Sequence, residues 1–172
     1  MRSMVRSMAK FETALAWTLD NWEDPMHEYK IEPDAPPGAF AIAGVNSVEN
    51  AVSYHLIADA EQDERAPLVA NFYRNAFWNQ WLQQMNSDDL AKRLFDAGVN
   101  MGSVTANRIL QKASGCPQDG VLGPVTLNVV NRAGDTIVLA FQNARAAHYK
   151  AIVAANPEDA QYLSVWLARA MK

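Results

Sequence analysis

Four carboxylates and two tryptophans near the start of the chain are the residues best suited to chemistry. Glu23 follows Trp22, with Trp17 upstream, and Glu28, Glu32 and Asp34 come next in a segment punctuated by Pro25, Pro33, Pro36, Pro37 and Gly38. Hydrolysis of a glycosidic bond needs two such groups. One gives a proton to the leaving oxygen. The other activates water from about 6.5–9.5 Å in an inverting enzyme, or attacks from closer range in a retaining one. The proton donor must stay protonated, and an apolar wall favours that state by disfavouring the charged form. Trp22 and Trp17 can supply this wall beside Glu23. Asp34, Glu32 and Glu28 are candidates for the second group, and the order of residues does not choose among them.

Other chemistries find little to work with. His27, His55 and His148 are far apart, no HExxH pair is present, and no glycine-rich phosphate loop follows a strand. Nothing points to a Ser-His-Asp site. Cys116 is the only cysteine, so no intrachain disulfide forms and folding needs no oxidising compartment. It reads as a small apolar residue rather than a nucleophile. No metal or cofactor is expected. A net charge of -4 without a long basic tract argues against nucleic acid, which demands concentrated positive charge. The N-terminal run MRSMVRSMAK is basic, but no apolar stretch follows it, so neither a signal peptide nor membrane insertion is expected.

The elements that must position these residues read as helices. Phe11, Leu15, Thr18, Leu19 and Trp22 share one face of a helix predicted over Met8 to Asn21, which Pro25 ends. Glu23 therefore falls at a helix-to-loop junction. Met26 to Asn46 reads as a long loop, with a short strand or hairpin in Phe40 to Val45. Further helices are predicted over Val48 to Ile57, from Pro67, after a Ser87 cap, over Val104 to Lys112, over Thr136 to Ala154 and from Pro157. Arg145 and Arg169 read as surface charges lying over apolar neighbours. The expectation is an all-α fold: a compact lysozyme-like helical domain with one long loop or small hairpin in its N-terminal half.

Tyr73, Arg74, Phe77, Trp78 and Trp81 form an aromatic cluster. Such a face can stack on sugar rings while Arg74 or Asn75 bonds hydroxyl or acetamide groups. It can equally be the wall between two helices. Asp96 and Asn100 are a polar pair on an otherwise apolar helix and must find hydrogen bonds. They either brace the catalytic loop or cap local backbone.

From Leu90 onward the chain carries LFDAGVNMG, then Leu110-Gln111, then DGVLGPVTL. With the Tyr73–Trp81 cluster and the closing Tyr162, Leu163, Trp166, Leu167 and Arg169, this pattern resembles the phage-type N-acetylmuramidases of glycoside hydrolase family 108, also described as secretion activators. The resemblance implies a muramidase lobe over 1–88 and a peptidoglycan-binding helical lobe over 89–172. It further implies cleavage between N-acetylmuramic acid and N-acetylglucosamine, with Glu23 as proton donor. Trp22, Tyr73, Arg74, Trp78 and Asn100 would be the substrate contacts, and peptidoglycan glycan strands the partner. Export would need a holin or a dedicated secretion system. The chain departs from the family pattern in one stretch. Asp24-Pro25 replaces two glycines, Pro36 an aspartate, Ala39 a glycine and Ala43 a tyrosine. A second register matches Glu28-Tyr29, rather than Glu23, to the family's glutamate. Two further readings stand beside the enzyme: a relative that binds peptidoglycan or a protein without cutting, and a structural helical component of a virion or secretion system.

Overall fold

The structure, a computed structural model, describes residues 8–172, and the chain divides into two units. One is Phe11–Asn79. The other is Gln80–Lys172 with Met1–Lys10, of which Met8 to Lys10 are described. The start of the basic N-terminal run thus lies outside the described residues. The fold is predominantly helical, with one small sheet in the first unit. Among the described residues no helix is long and apolar enough to cross a membrane.

The first unit opens with α1 (Phe11–Thr18), which buries Phe11, Ala14, Leu15 and Thr18 as the helical spacing requires. The helix predicted to begin at Met8 starts later, at Phe11. It then widens into a π-helical turn over Leu19–Glu23. In the predicted long loop β1 (Glu32–Asp34) is an added strand, and the hairpin expected in Phe40 to Val45 is present as β2 (Ala39–Ile42) and β3 (Val45–Asn46). They form an antiparallel sheet in the order β1-β2-β3, with Asp34 opposite Ala39 and Ile42 opposite Val45. α2 (Ala51–Ala58) and α3 (Arg65–Phe77) complete the unit. Pro67 lies in the first turn of α3, where its missing N–H costs no helical bond. Ile42, Val45, Ile57, Val69 and Tyr73 are the largest fully buried side chains of this unit.

The second unit is helical throughout: α4 (Gln80–Gln83), α5 (Asp88–Met101), α6 (Ser103–Ser114), α7 (Pro124–Ala133), α8 (Val138–Ala155) and α9 (Leu163–Met171). Ser87 caps α5 as predicted, its Oγ accepting from the Leu90 N–H at 3.0 Å. Asp88 and Asp89 occupy the first turn of α5, where the helix dipole favours negative charge. Pro124 opens α7, and 3-10 turns over Gly134–Ile137 and Pro157–Tyr162 lead into α8 and α9.

Arg145 and Arg169 overturn their expected place on the surface. Arg145 of α8 is 0% exposed and Arg169 of α9 is 8% exposed. Both converge on Asp96 of α5, itself fully buried. Arg145 Nη2 donates at 3.0 Å, and Arg169 donates from Nη2 at 2.8 Å and from Nε at 3.1 Å. A single buried carboxylate thereby ties three helices together. Asp96 does not act as a local backbone cap.

Candidate functional site

Glu23 owes its position to the π-helical turn. The Asp24 N–H reaches back to the Leu19 carbonyl at 3.1 Å, a bond one residue longer than an α-helix makes. Such wide turns recur at functional sites because the extra residue re-aims the side chains after it. Asp24 then directs the chain onward. Its carboxylate accepts from the Glu28 N–H at 3.1 Å and the Tyr29 N–H at 2.9 Å. His27 and Tyr29 take positive φ values of 52° and 49°, and these bonds help hold that bend. Gln62 and Arg65 fasten the loop by donating to the carbonyls of Glu28 (2.6 Å) and Tyr29 (2.9 Å). Asp24 thus folds the segment through side-chain acceptance, where a pair of glycines would do so through backbone freedom.

The other side of the site is the turn joining β2 to β3. Ile42 pairs with Val45, leaving Ala43 and Gly44 as a two-residue loop with φ values of 46° and 78°. Positive φ at both positions marks a type I′ hairpin turn, which glycine suits best. Gly44 carries a second demand. A Cβ there would lie 2.6 Å from the Tyr73 hydroxyl and 3.0 Å from Glu23 Cδ, and closer still to a Glu23 carboxylate oxygen. The Glu23 carboxyl therefore rests directly on the turn. Tyr73 fixes the turn from α3 by donating its hydroxyl to the Ala43 carbonyl at 2.8 Å.

Asp34 is held separately. Asn46, almost fully buried, donates its amide to the Asp34 carboxylate at 2.8 Å and to the Ala35 carbonyl at 2.8 Å. The amide oxygen of Asn46 accepts from the N–H groups of Val48 (2.7 Å) and Glu49 (3.2 Å). Asp34 thus has a fixed carboxylate on an exposed strand. Glu32 is on the same strand and exposed. Glu28 is exposed and pairs with Lys30 at 2.9 Å, on the loop that Asp24 organises.

The expected substrate contacts scatter. Trp22 and Trp17 are half-buried. Tyr73 is 1% exposed, so its ring belongs to the core and only its hydroxyl meets the turn. Arg74 is exposed, pairs with Glu12 at 2.7 Å and lies 4.0 Å over the Phe11 ring. Trp78, half-buried, meets Phe11 edge-on at 5.8 Å. Asn100 belongs to the other unit, where it accepts from the Tyr149 hydroxyl. Among the described residues no group of three or more His, Cys, Asp or Glu side chains is arranged to hold a metal.

Two residues of the first unit escaped sequence reasoning. Asn46 left only a polar residue closing the apolar run from Phe40 to Val45. Asp24 stood out as a departure from a family pattern, with no hint of its capping role.

The second unit has its own ordered loop. Gln111 of α6, 1% exposed, donates to the Asp119 carboxylate at 2.6 Å, to the Val121 carbonyl at 3.1 Å and to the Thr126 hydroxyl at 3.2 Å. Its amide oxygen accepts from the Gly120 N–H at 2.9 Å. Gly120, at φ 81°, lies flush on α6, since a Cβ would come within 2.8 Å of Val104. The Leu110-Gln111 and DGVLGPVTL runs are therefore one device: a buried amide clamping a glycine turn.

Residues 105–171 match the family described as the Predicted Peptidoglycan domain, which gives the chain a C-terminal peptidoglycan domain. No curated protein matches. Among solved structures, SagA of Brucella abortus is similar in fold, with a TM-score of 0.61 and 21% identity over 94% of this chain and 93% of that one.

Proposed function

We propose that the protein binds peptidoglycan through its C-terminal unit and cuts the glycan strand as an N-acetylmuramidase, with Glu23 as general acid. The match of residues 105–171 to the peptidoglycan domain carries the binding half. The cutting half rests on Glu23, a carboxyl group set on a glycine turn at the end of a π-helical segment. Asp34 is the preferred second carboxylate, because Asn46 fixes its orientation. Glu28 is the weaker choice, since Lys30 already engages it. Trp22 beside Glu23 offers an apolar surface for a sugar. Action on the wall would follow export through a holin or secretion system.

One observation favours a binder that does not cut. Asp24-Pro25 stands where the muramidase pattern has two glycines, and the Asp24 carboxylate is spent on the loop backbone. Sedimentation with purified sacculi and release of reducing ends, measured on the parent and on Glu23→Gln, separate the readings. The enzyme reading expects both to sediment, with reducing-end release in the variant about 10²–10⁴-fold slower, the usual contribution of general acid catalysis. Equal release by both removes Glu23 from the reaction. Sedimentation without release by either establishes the binder.

A further inference from the structure

Within the second unit, α6 and α8 pack along one another and leave a hollow of about 450 Å³. Its α6 side is Thr105, Arg108, Ile109 and Lys112. Its α8 side is Ala144, Ala147, His148 and Ala151. Both sets follow the i, i+3, i+4, i+7 spacing of a single helix face. The hollow exists because the alanines of α8 are too short to fill the space opposite α6. These residues all fall within the span matched to the peptidoglycan domain.

Its charge runs against that of the chain. The protein carries a net charge of -4, yet no carboxylate lines the hollow. Arg108 and Lys112 are both exposed at its rim, and neither has an ion-pair partner among the described residues. Asp119 is near enough to Arg108 to feel its charge, but the Gln111 amide and the Val121 N–H take up its carboxylate. His148 is half-buried, and burial lowers its pKa, so it offers the hollow a neutral imidazole.

We infer that this hollow is a subsite for the C-terminal carboxylate of a short peptide with small side chains, the D-alanyl end of a peptidoglycan stem. The inference rests on the reading that the chain binds peptidoglycan and names which part of the polymer the second unit grips. A carboxylate meets Arg108 and Lys112, and Arg can hold it with two parallel hydrogen bonds. Methyl side chains meet the apolar lining of Ile109, Ala144 and Ala147. The glycan backbone fits less well, because its N-acetylglucosamine residues carry no charge for these cations to meet.

The test uses the full chain and N-acetyl-L-Lys-D-Ala-D-Ala as probe, with its C-terminal amide and an N-acetylglucosamine tetramer as controls, read by backbone amide shifts. The tripeptide should move the resonances of Ala144, Ala147 and His148. The amide, and the exposed double variant Arg108→Ser with Lys112→Ser, should each bind at least about ten-fold more weakly, as loss of a charge-assisted pair implies. Equal binding of the amide, equal binding by the double variant, or shifts that avoid the hollow overturn the inference. Sedimentation with purified sacculi tells the two failures apart. A chain that sediments but leaves the tripeptide unbound sinks the subsite alone. A chain that does not sediment sinks the peptidoglycan reading and the subsite with it.

Discussion

Two carboxyl groups in this protein sit at opposite ends of a range. Asp96, in the second unit, is fully buried and gripped by two guanidinium groups. Glu23, in the first, is half-buried and pressed against a glycine turn. Burial of a charge is strongly unfavourable unless it is paired and hydrogen-bonded. Asp96 meets that condition with α8 and α9, and the result is a tie between helices with no access for a substrate. Glu23 keeps part of its surface in solvent, and its backbone comes from a π-helical turn rather than a regular helix. A carboxylate fully enclosed by arginines holds structure. A partly open one resting against a positive-φ turn keeps the solvent access that the proposed chemistry requires.

The sharpest way to break this contrast is to remove Asp96. Asp96→Ala leaves Arg145 and Arg169 buried without their shared anion, and a broken buried pair costs about 3–5 kcal/mol. Urea unfolding should show that loss. A denaturation midpoint close to the parent's would mean that the arginines turn out to solvent and that Asp96 holds little. Replacing all three residues with apolar ones (Asp96→Leu, Arg145→Met, Arg169→Met) should recover most of the stability, since well-packed apolar groups often match a buried charge cluster. Failure to recover would assign the cluster a role in specifying how α5, α8 and α9 pack.

A smaller effect sharpens the Glu23 side. Gly44→Ala must hold a side chain at φ 78°, which costs about 1–2 kcal/mol for a residue with a Cβ. The new methyl also displaces the Glu23 carboxyl and the Tyr73 hydroxyl. Gly115→Ala is the strain-matched control, since it too has positive φ, at 72°, but its new methyl meets nothing within 4 Å. Both variants should lose stability in urea. Only Gly44→Ala should slow reducing-end release per folded molecule. If the two slow it equally, the Ala43-Gly44 turn has no special place in the reaction.

The helices were legible because burial on one face leaves a 3.6-residue stripe. Leu90, Leu94 and Phe95 announced α5, and Ser87 announced its start. The sheet was less so. Its strands are three, four and two residues long, and all of β1 is exposed, so no alternation marks it. The π-helical turn differs from an α-helix by one residue per turn, a change the Phe11–Trp22 stripe cannot resolve. Arg145 and Arg169 were misplaced because their partner is remote, 49 and 73 residues away along the chain. A lone arginine in a helix carries no mark of a distant buried anion. Glu23 stands out in the sequence only as a helix-end glutamate beside tryptophan. What lies under it, Gly44 and the Tyr73 hydroxyl, comes from two other elements and appears only in three dimensions.

The smallest effect tests the clamp in the second unit. Asp119 has its pKa held below the ordinary 3.8, first by the Val121 N–H and then by the Gln111 amide, both of which favour the charged carboxylate. The folded state therefore binds the Asp119 proton more weakly than the unfolded chain does. Its contribution to stability is complete above the unfolded pKa and disappears as pH falls through the lower folded value. The melting temperature of the parent should exceed that of Asp119→Asn by a constant margin above about pH 5, where an ordinary aspartate is ionised. The margin should narrow on acidification below that point. The Val121 amide resonance of the parent should titrate with a midpoint under 3.8, and that of the variant should stay flat. A midpoint at or above the ordinary value would mean that the loop is held by Gln111 and Gly120 alone, with Asp119 a bystander at its edge.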